Sequence, residues 1–292
     1  MFEPLDLSHR DIYTSYAARK PCRSYEGSFA CTYIWRHKFS NDLFYTDNAM
    51  YVRGFTNERR FIVPIGVKDW TKAVEECTIA DPGAALGDLA ADDAAGLDAA
   101  FPGRYNFSPR RERADYIYLQ SDLANLPGKK YHQKRNFCAR FEREYEGRYA
   151  FEELSGHNLK NVLEFQEVWR RGNGHDTVTS LQEENTAIKC LLCNMEELRV
   201  SGLVLSVDGK VAGFTAGSAI SNETFDVSVE KADYELVGAY PMLCRELSRH
   251  CGSYKYMNRE EDLGVENLRK SKLSYHPHML IEKFAPVPVS GE

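Results

Sequence analysis

The 292-residue chain has no apolar run near the roughly 18 residues that a membrane-spanning helix needs. Its first ten residues, Met1 to Arg10, hold no apolar core of the kind a secretory signal carries. Both absences lead to the expectation of a cytoplasmic protein without a transmembrane segment. The eight cysteines lack the regular spacing of a disulfide framework, which fits a reducing compartment. Cys190 and Cys193 form a lone CxxC inside a helical stretch, and no second CxxC or His pair completes a zinc site. Free cysteine is among the most buried residue types, so these thiols read as packing groups and no metal is expected. A Walker A loop, a GxSxG elbow and a Rossmann fingerprint are all missing. Positive charge is not in excess either. Acidic residues outnumber Lys plus Arg by 43 to 37, a formal net charge of −6. That argues against indiscriminate coating of nucleic acid and leaves room for a local basic groove.

What the sequence does contain is an ordinary apolar and charged content for a folded protein, and enough length for one large domain or two average ones. The second half reads most clearly. Arg148 to Leu154 reads as a strand, and Leu159, Val162, Leu163 and Trp169 recur at helical spacing until Gly172 and Gly174. Ser180 and Glu183 form a capping box ahead of an apolar stripe from Ala187 to Leu198, a helix to about Arg199. Gly202 to Val207 and Lys210 to Ile220 flank an Asp208-Gly209 hairpin turn, and Thr224 to Lys231 returns after Ser221-Asn222. A helix over Gly238 to His250, a strand over Tyr254 to Arg259, a short helix over Val265 to Lys270 and a strand over Met279 to Phe284 complete the half. Strand, two helices, three antiparallel strands, helix, strand, helix, strand is the order of a GNAT-type acyl-CoA N-acyltransferase fold.

The first half gives a blurred copy. Helices are expected near Ser8 to Arg19 and Ser28 to His37, and strands at Leu43 to Thr46, Met50 to Gly54 and Arg60 to Ile65. The Ala- and Asp-rich stretch from Gly83 to Ala100 reads as helix, Asp115 to Leu119 as strand and Lys129 to Tyr145 as a long basic helix. The expected fold class is therefore α+β: two degenerate GNAT-like domains in tandem, 1–147 and 148–292, each a mixed, mostly antiparallel sheet flanked by helices. One continuous α/β domain without a repeat is the alternative.

Two segments resemble a known family. One is Asp115-Tyr-Ile-Tyr followed by Leu126-Pro-Gly-Lys-Lys-Tyr-His-Gln-Lys-Arg-Asn136. The other is Asn258-Arg-Glu-Glu-Asp-Leu-Gly264 followed by Leu268-Arg-Lys-Ser-Lys-Leu-Ser-Tyr-His-Pro277. Together with Phe29 to Trp35 and Phe61 to Gly66, they are similar to soluble proteins related to the C-terminal domain of phosphatidylglycerol lysyltransferases. The resemblance implies a tandem GNAT-like fold and aminoacyl transfer from a charged tRNA, in the membrane enzymes to a lipid headgroup. The Leu-Arg-x-x-Lys-x-x-aromatic-x-Pro pattern of those enzymes falls on Leu268, Arg269, Lys272, Tyr275 and Pro277. The chain shows no membrane domain, so a small-molecule or peptide acceptor stands beside the lipid headgroup.

Candidate roles follow from residue chemistry. Lys130, Lys134, Arg135 and Asn136 lie on the basic helix and suit phosphates of a tRNA or a pyrophosphate. A solvated helix face is the competing reading. Asn258 is placed to orient an acyl carbonyl, Arg259 and Arg269 to hold a carboxylate or phosphate, and Glu230 or Glu260 to deprotonate an amine. Lys272 suits an oxyanion and Tyr275 a late proton donor, whereas plain ion pairs and aromatic packing are the bland alternatives. Asp226, Ser228 and Glu230 share a face of one strand by its period of two. His276 and His278 share a strand face, with no third ligand evident. The stretch Lys231 to Tyr240, where a GNAT acetyltransferase carries a Gly-rich pyrophosphate loop, has one glycine and two acids. Aminoacyl-tRNA is therefore the favoured co-substrate, with acyl-CoA or a non-catalytic binding module of the same fold as alternatives. No tightly bound cofactor is expected.

Overall fold

Elements follow one another along the chain much as the apolar periodicity indicates, but they do not stay on their own side of residue 147. The computed structural model describes residues 2–56, 60–173 and 179–289, without the side chains of 173, 179 and 180. The first half contains β1 (Glu3–Pro4), α1 (Arg10–Ala17), α2 (Phe29–Ile34), α3 (Arg36–Phe39), β2 (Asp42–Tyr45), β3 (Met50–Phe55) and β4 (Arg60–Ile65). It continues with α4 (Trp70–Ala80), β5 (Ala85–Leu86), β6 (Leu89–Ala90), α5 (Ala91–Ala100), β7 (Tyr105–Pro109), β8 (Asp115–Leu119), α6 (Gln120–Asn125) and α7 (His132–Glu144). The second half contains β9 (Tyr149–Glu153), α8 (Leu159–Asn173), α9 (Thr179–Cys193), β10 (Ser201–Val207), β11 (Lys210–Ala219) and β12 (Thr224–Ala232). It ends with α10 (Ala239–His250), β13 (Tyr256–Asn258), α11 (Glu266–Leu273), β14 (Met279–Ile281) and β15 (Lys283–Pro288).

Local chemistry explains most of these boundaries. Asp208 (φ 51°) and Gly209 (φ 74°) both take left-handed backbone, which the tight β10–β11 hairpin requires. In α10 the buried residues Ala239, Met242, Leu243, Cys244 and Leu247 recur at three- and four-residue steps, one face of a helix. Several expectations need correction. Helix α9 stops at Cys193 instead of reaching Arg199, because the Asn194 side-chain amide donates to the Cys190 carbonyl at 2.7 Å and turns the chain. Helix α4 lies in a stretch assigned no element, started by the Asp69 carboxylate accepting from the Thr71 and Lys72 amides. The stretch expected to be helical from Gly83 begins as β5 and β6, since β5 pairs in parallel with β4. Helix α8 runs through Gly172 to Asn173. Gly174 and the Ser180 cap lie outside the described residues.

Sheets cross the chain midpoint. One sheet has the order β1-β2-β3-β4-β5, a second β14-β8-β13-β12-β11-β10-β9 and a third β6-β15-β7. Strand β8 of the first half thus sits between β13 and β14 of the second, with Ile117 opposite both Asn258 and Met279. In return β15 pairs with β6 and β7. The largest core cluster is shared too: Tyr13, Phe29 and Tyr33 pack with Ile188, Leu191, Leu192 and Phe214. A β-bulge interrupts the β11–β12 ladder at Gly217, where a Cβ would meet the Asp226 carbonyl oxygen at 1.7 Å, so only glycine fits.

The exchange is fastened by a buried charge. Lys283, 2% exposed, donates to the Ser24 hydroxyl at 2.7 Å and to the Glu26 carboxylate, and lies 3.6 Å from Asp115 of β8. Burial works against the ammonium, but Asp115 and Glu26 hold its pKa above the ordinary lysine value. Removing one partner of such a group leaves uncompensated charge in a dry site. Lys283→Met is expected to destabilise the protein by about 3–5 kcal/mol in urea unfolding. Glu266→Gln, which breaks the exposed Glu266–Lys270 pair, should leave the midpoint essentially in place.

Candidate functional site

Strands β12 and β13 run parallel, but their pairing spans only Thr224–Tyr256, Phe225–Met257 and Asp226–Asn258. Beyond Asp226 the strands part, and β12 continues to Ala232 paired with β11 alone. The face that a period of two gives to Asp226, Ser228 and Glu230 together does not form: the bulge opposite Gly217 shifts the alternation, so Asp226 stays on the α2 side with Ser218 while Glu230 lies on the opposite, α10 face. There Glu230 accepts from the Arg259 guanidinium at 2.7 Å, with the two side chains only 10% and 14% exposed. Arg259 is the residue that follows β13. Its guanidinium also donates to the Cys244 sulfur on α10 at 3.5 Å and lies 5.0 Å from the centre of the Tyr275 ring. The Lys134 ammonium from α7 stands 3.8 Å from the centre of the same ring. Two cations thus share one buried aromatic ring, an attraction of ring quadrupole and charge that keeps both side chains in place.

The electrostatics of the four residues are mutually dependent. Burial raises the Glu230 pKa above the ordinary glutamate value, against the pull of Arg259 and Lys134. Burial and the neighbouring Arg259 lower that of Lys134. Burial alone would lower Arg259 too, but Glu230 carries its pKa well above the usual arginine value. With Glu230 ionised, two cations against one anion leave a net positive charge, suited to a phosphate, a carboxylate or a developing oxyanion.

The loop after β13 forms a second layer. Asn258 is fully buried; its amide donates to the Arg23 carbonyl at 2.7 Å and its oxygen accepts from the Glu260 amide at 2.6 Å. This side chain shapes the turn that holds Glu260 at φ 53°. Lys272 donates to the carbonyls of Arg259, Glu260 and Glu261, gathering the loop around its ammonium. Burial draws its pKa down to about 8 against the opposing pull of Glu260. Arg269 binds Asp262 through two contacts of 2.8 Å, and Tyr116 and Arg111 complete the shell of that carboxylate.

Of the residues singled out in sequence, Glu230, Arg259, Tyr275 and Lys134 come together, with Lys272, Glu260 and Asn258 directly behind them. The rest are placed elsewhere. Lys130 pairs with Asp122 at 3.2 Å, Arg135 donates to the Leu126 and Gly128 carbonyls, and Asn136 meets His132 at 3.1 Å on the exposed face of α7. Arg269 serves Asp262. His276 contacts the Lys130 carbonyl at 3.1 Å, whereas His278 lies beside the Tyr256 ring, so this pair is not set to bind one ion. Sequence reasoning missed Cys244 and Tyr118, which line the guanidinium of Arg259. Tyr118 falls in the Asp115-Tyr-Ile-Tyr segment, the signal that could have found it. Among the described residues, a surface hollow along α8 at Leu159, Leu163 and Lys189 and another between α7 and β9 at Glu142 and Tyr149 are not lined by the four clustered residues.

Known proteins share this architecture. The family described as phosphatidylglycerol lysyltransferase, C-terminal, matches residues 18–285. A solved protein of unknown function from Bacteroides thetaiotaomicron is 32% identical, with 99% of each chain covered and a TM-score of 0.93. The structure of L-PGS from Bacillus licheniformis superposes with a TM-score of 0.66 at 16% identity, over 99% of this chain and 94% of that one. An uncharacterised protein of Mycoplasmoides gallisepticum is 21% identical over 196 residues, which span 66% of this chain and 63% of that protein. The α+β, tandem GNAT-like fold expected from the order of elements is the fold observed.

The Glu230–Arg259 pair has an energetic signature. Glu230→Ala leaves a buried guanidinium without its anion and is expected to cost about 3–5 kcal/mol in urea unfolding. The double variant E230A/R259M should be destabilised by less than the sum of the two single changes, the mark of direct coupling.

Proposed function

Because the chain belongs to the phosphatidylglycerol lysyltransferase C-terminal family, we propose that it is an acyltransferase that moves an aminoacyl group from a charged tRNA to an amine or hydroxyl acceptor. The observation that carries this reading is the Glu230–Arg259 pair in the opening between β12 and β13, with Lys134 and Tyr275 beside it. Glu230 is the general base. An ammonium acceptor must lose a proton before it can attack, and a buried carboxylate with a raised pKa takes it more readily near neutral pH than an exposed one. The acceptor nitrogen then attacks the ester carbonyl, a C–N bond forms and the C–O bond to the tRNA ribose breaks. The proton held by Glu230 passes to the departing ribose oxygen, and the second proton that the nitrogen sheds on becoming an amide is taken up by the freed Glu230 carboxylate and released to solvent. Arg259 and Lys134 bear the negative charge of the tetrahedral oxygen or of the adjacent terminal phosphate. Tyr275 positions both cations.

The extended basic helix contributes less than its composition suggests. Lys130, Arg135 and Arg140 are each engaged within the protein, the last with Glu144. Lys134 is the member of that segment that reaches the site. An acyl-CoA donor is the second reading, and the surroundings of α10 weigh against it. The N-terminus of α10 is where a GNAT enzyme holds pyrophosphate. Here Gly238 (φ 98°) lies so close to α7 that a Cβ would stand 2.4 Å from the Phe137 carbonyl oxygen, and Tyr234, Tyr240 and Trp169 stack over the preceding loop. The acceptor is open: a small molecule, a peptide or a lipid headgroup would each supply the nucleophile. Among the described residues no helix is long and apolar enough to cross a membrane.

Filter retention of total charged tRNA against deacylated tRNA tests the donor. Selective retention of the charged form is expected, with acetyl-CoA failing to compete; retention of neither form overturns the tRNA reading. Glu230→Gln should retain charged tRNA while its transfer rate falls by about 100-fold or more. In the wild type the rate should decline as pH falls through the raised Glu230 pKa, above the usual glutamate range, because only the ionised base works. Unchanged turnover in Glu230→Gln would remove this residue from the chemistry.

A further inference from the structure

The turn after β13 carries a second group of functional side chains that the proposed transfer does not use. Cys31 from α2, Asp226 from β12 and Glu260 from the loop come from three distant parts of the sequence. One sulfur and one carboxylate oxygen from each acid lie within 4.8 Å of one another. Cys31 is 3% exposed and Asp226 is wholly buried. The Cys31 sulfur is 3.6 Å from a Glu260 oxygen. One Asp226 oxygen accepts from the Ser228 hydroxyl at 3.1 Å, while the other is buried with no hydrogen-bond partner. Among the described residues no Lys, Arg or His side chain is bonded to either carboxylate. Lys272 is occupied by backbone carbonyls, and Lys283 by Ser24 and Glu26.

Such an arrangement is costly as it stands. Buried carboxylates are ordinarily paired, hydrogen-bonded or bound to a metal, and one oxygen of Asp226, in a cluster with a thiol and a second carboxylate, has none of these. We propose that Cys31, Asp226 and Glu260 form a divalent transition-metal site, with zinc as the ion that best suits one sulfur and two oxygen donors. Binding displaces the thiol proton to solvent and brings the three ligands together. Ligand atoms around tetrahedral zinc stand about 3.5 Å apart, so the present spacing closes by roughly 1 Å through side-chain rotation. Three protein ligands leave a fourth position open. Asp226 sits at the last paired position before β12 and β13 part, and Glu260 follows Arg259 directly. The inference stands apart from the transfer reaction: the ion would be bound whether or not a charged tRNA is the donor. It also departs from the sequence-based expectation of no metal, which rested on CxxC and His spacing that this site does not use.

The test is metal binding by the whole protein after dialysis against a chelator. One equivalent of cobalt(II) chloride is expected to give a thiolate-to-cobalt charge-transfer band, and zinc chloride to displace the cobalt and abolish the band. Cys31→Ser should lose the band. Asp226→Asn, which keeps size and shape, should weaken zinc binding by about tenfold or more, as even an outer-shell change at a metal site does. Circular dichroism of the metal-free variants confirms that each is folded. Absence of the band in folded wild-type protein overturns the proposal. So does a band that survives in Cys31→Ser, since the thiolate would then be another cysteine, or unaltered zinc affinity in Asp226→Asn.

Discussion

Parallel pairing between β12 and β13 ends at Asp226–Asn258, and the rest of the functional region is arranged around the gap that follows. A parallel strand needs a partner on each edge to satisfy its amides and carbonyls. Strand β13 finds one in β8, brought across from the first half, and is free to diverge from β12 after three residues. Into the space so made go the side chains of Glu230 and Arg259, neither of which would tolerate burial without the other. The site is therefore a product of backbone pairing before it is a product of side-chain chemistry.

The cations and anions near the gap form two layers with different duties. Glu230, Arg259, Lys134 and Tyr275 face the opening and keep a net positive charge. Behind them Asp262 binds Arg269, Arg111 and Tyr116, and Lys272 collects the carbonyls of the loop. Those second contacts fix the direction in which Arg259 leaves β13. An arginine suits that position because its planar fork can meet a carboxylate while its face lies against an aromatic ring, which a lysine cannot do equally well.

Much of the second half was legible in the sequence because its elements are governed by local rules. The Asp208-Gly209 turn and the stripe of α10 are each decided within a dozen residues, whereas the alternation in β12 is broken by the bulge opposite Gly217, which no local pattern announces. Glu230 was still legible as a polar residue of that strand. Lys134 was named within a basic run whose other members turned out to serve Asp122, Glu144 and backbone carbonyls; composition cannot tell which cation faces an aromatic ring. The insertion of β8 between β13 and β14 was not legible, because a five-residue strand carries no mark of which edge it will join. Cys31, Asp226 and Glu260 lie in segments 195 and 34 residues apart along the chain, so no spacing pattern could have grouped them. Helix α4 was missed although Asp69, Trp70, Ala73 and Cys77 provide a cap and a helical period, a failure of reading and not of signal.

The exchange of β8 for β15 also bears on how the protein is made. A ribosome delivers residue 115 long before residues 279–288, so β8 emerges with the sheet it will join still unsynthesised. β6 and β7 must likewise wait for the strand that lies between them. Until then, exposed strand edges invite pairing with other chains. Contacts of such long sequence separation also form slowly once the segments are all present. The newborn chain thus passes through an interval of incomplete sheets, and its yield in the cell depends as much on protection during that interval as on the stability of the finished fold.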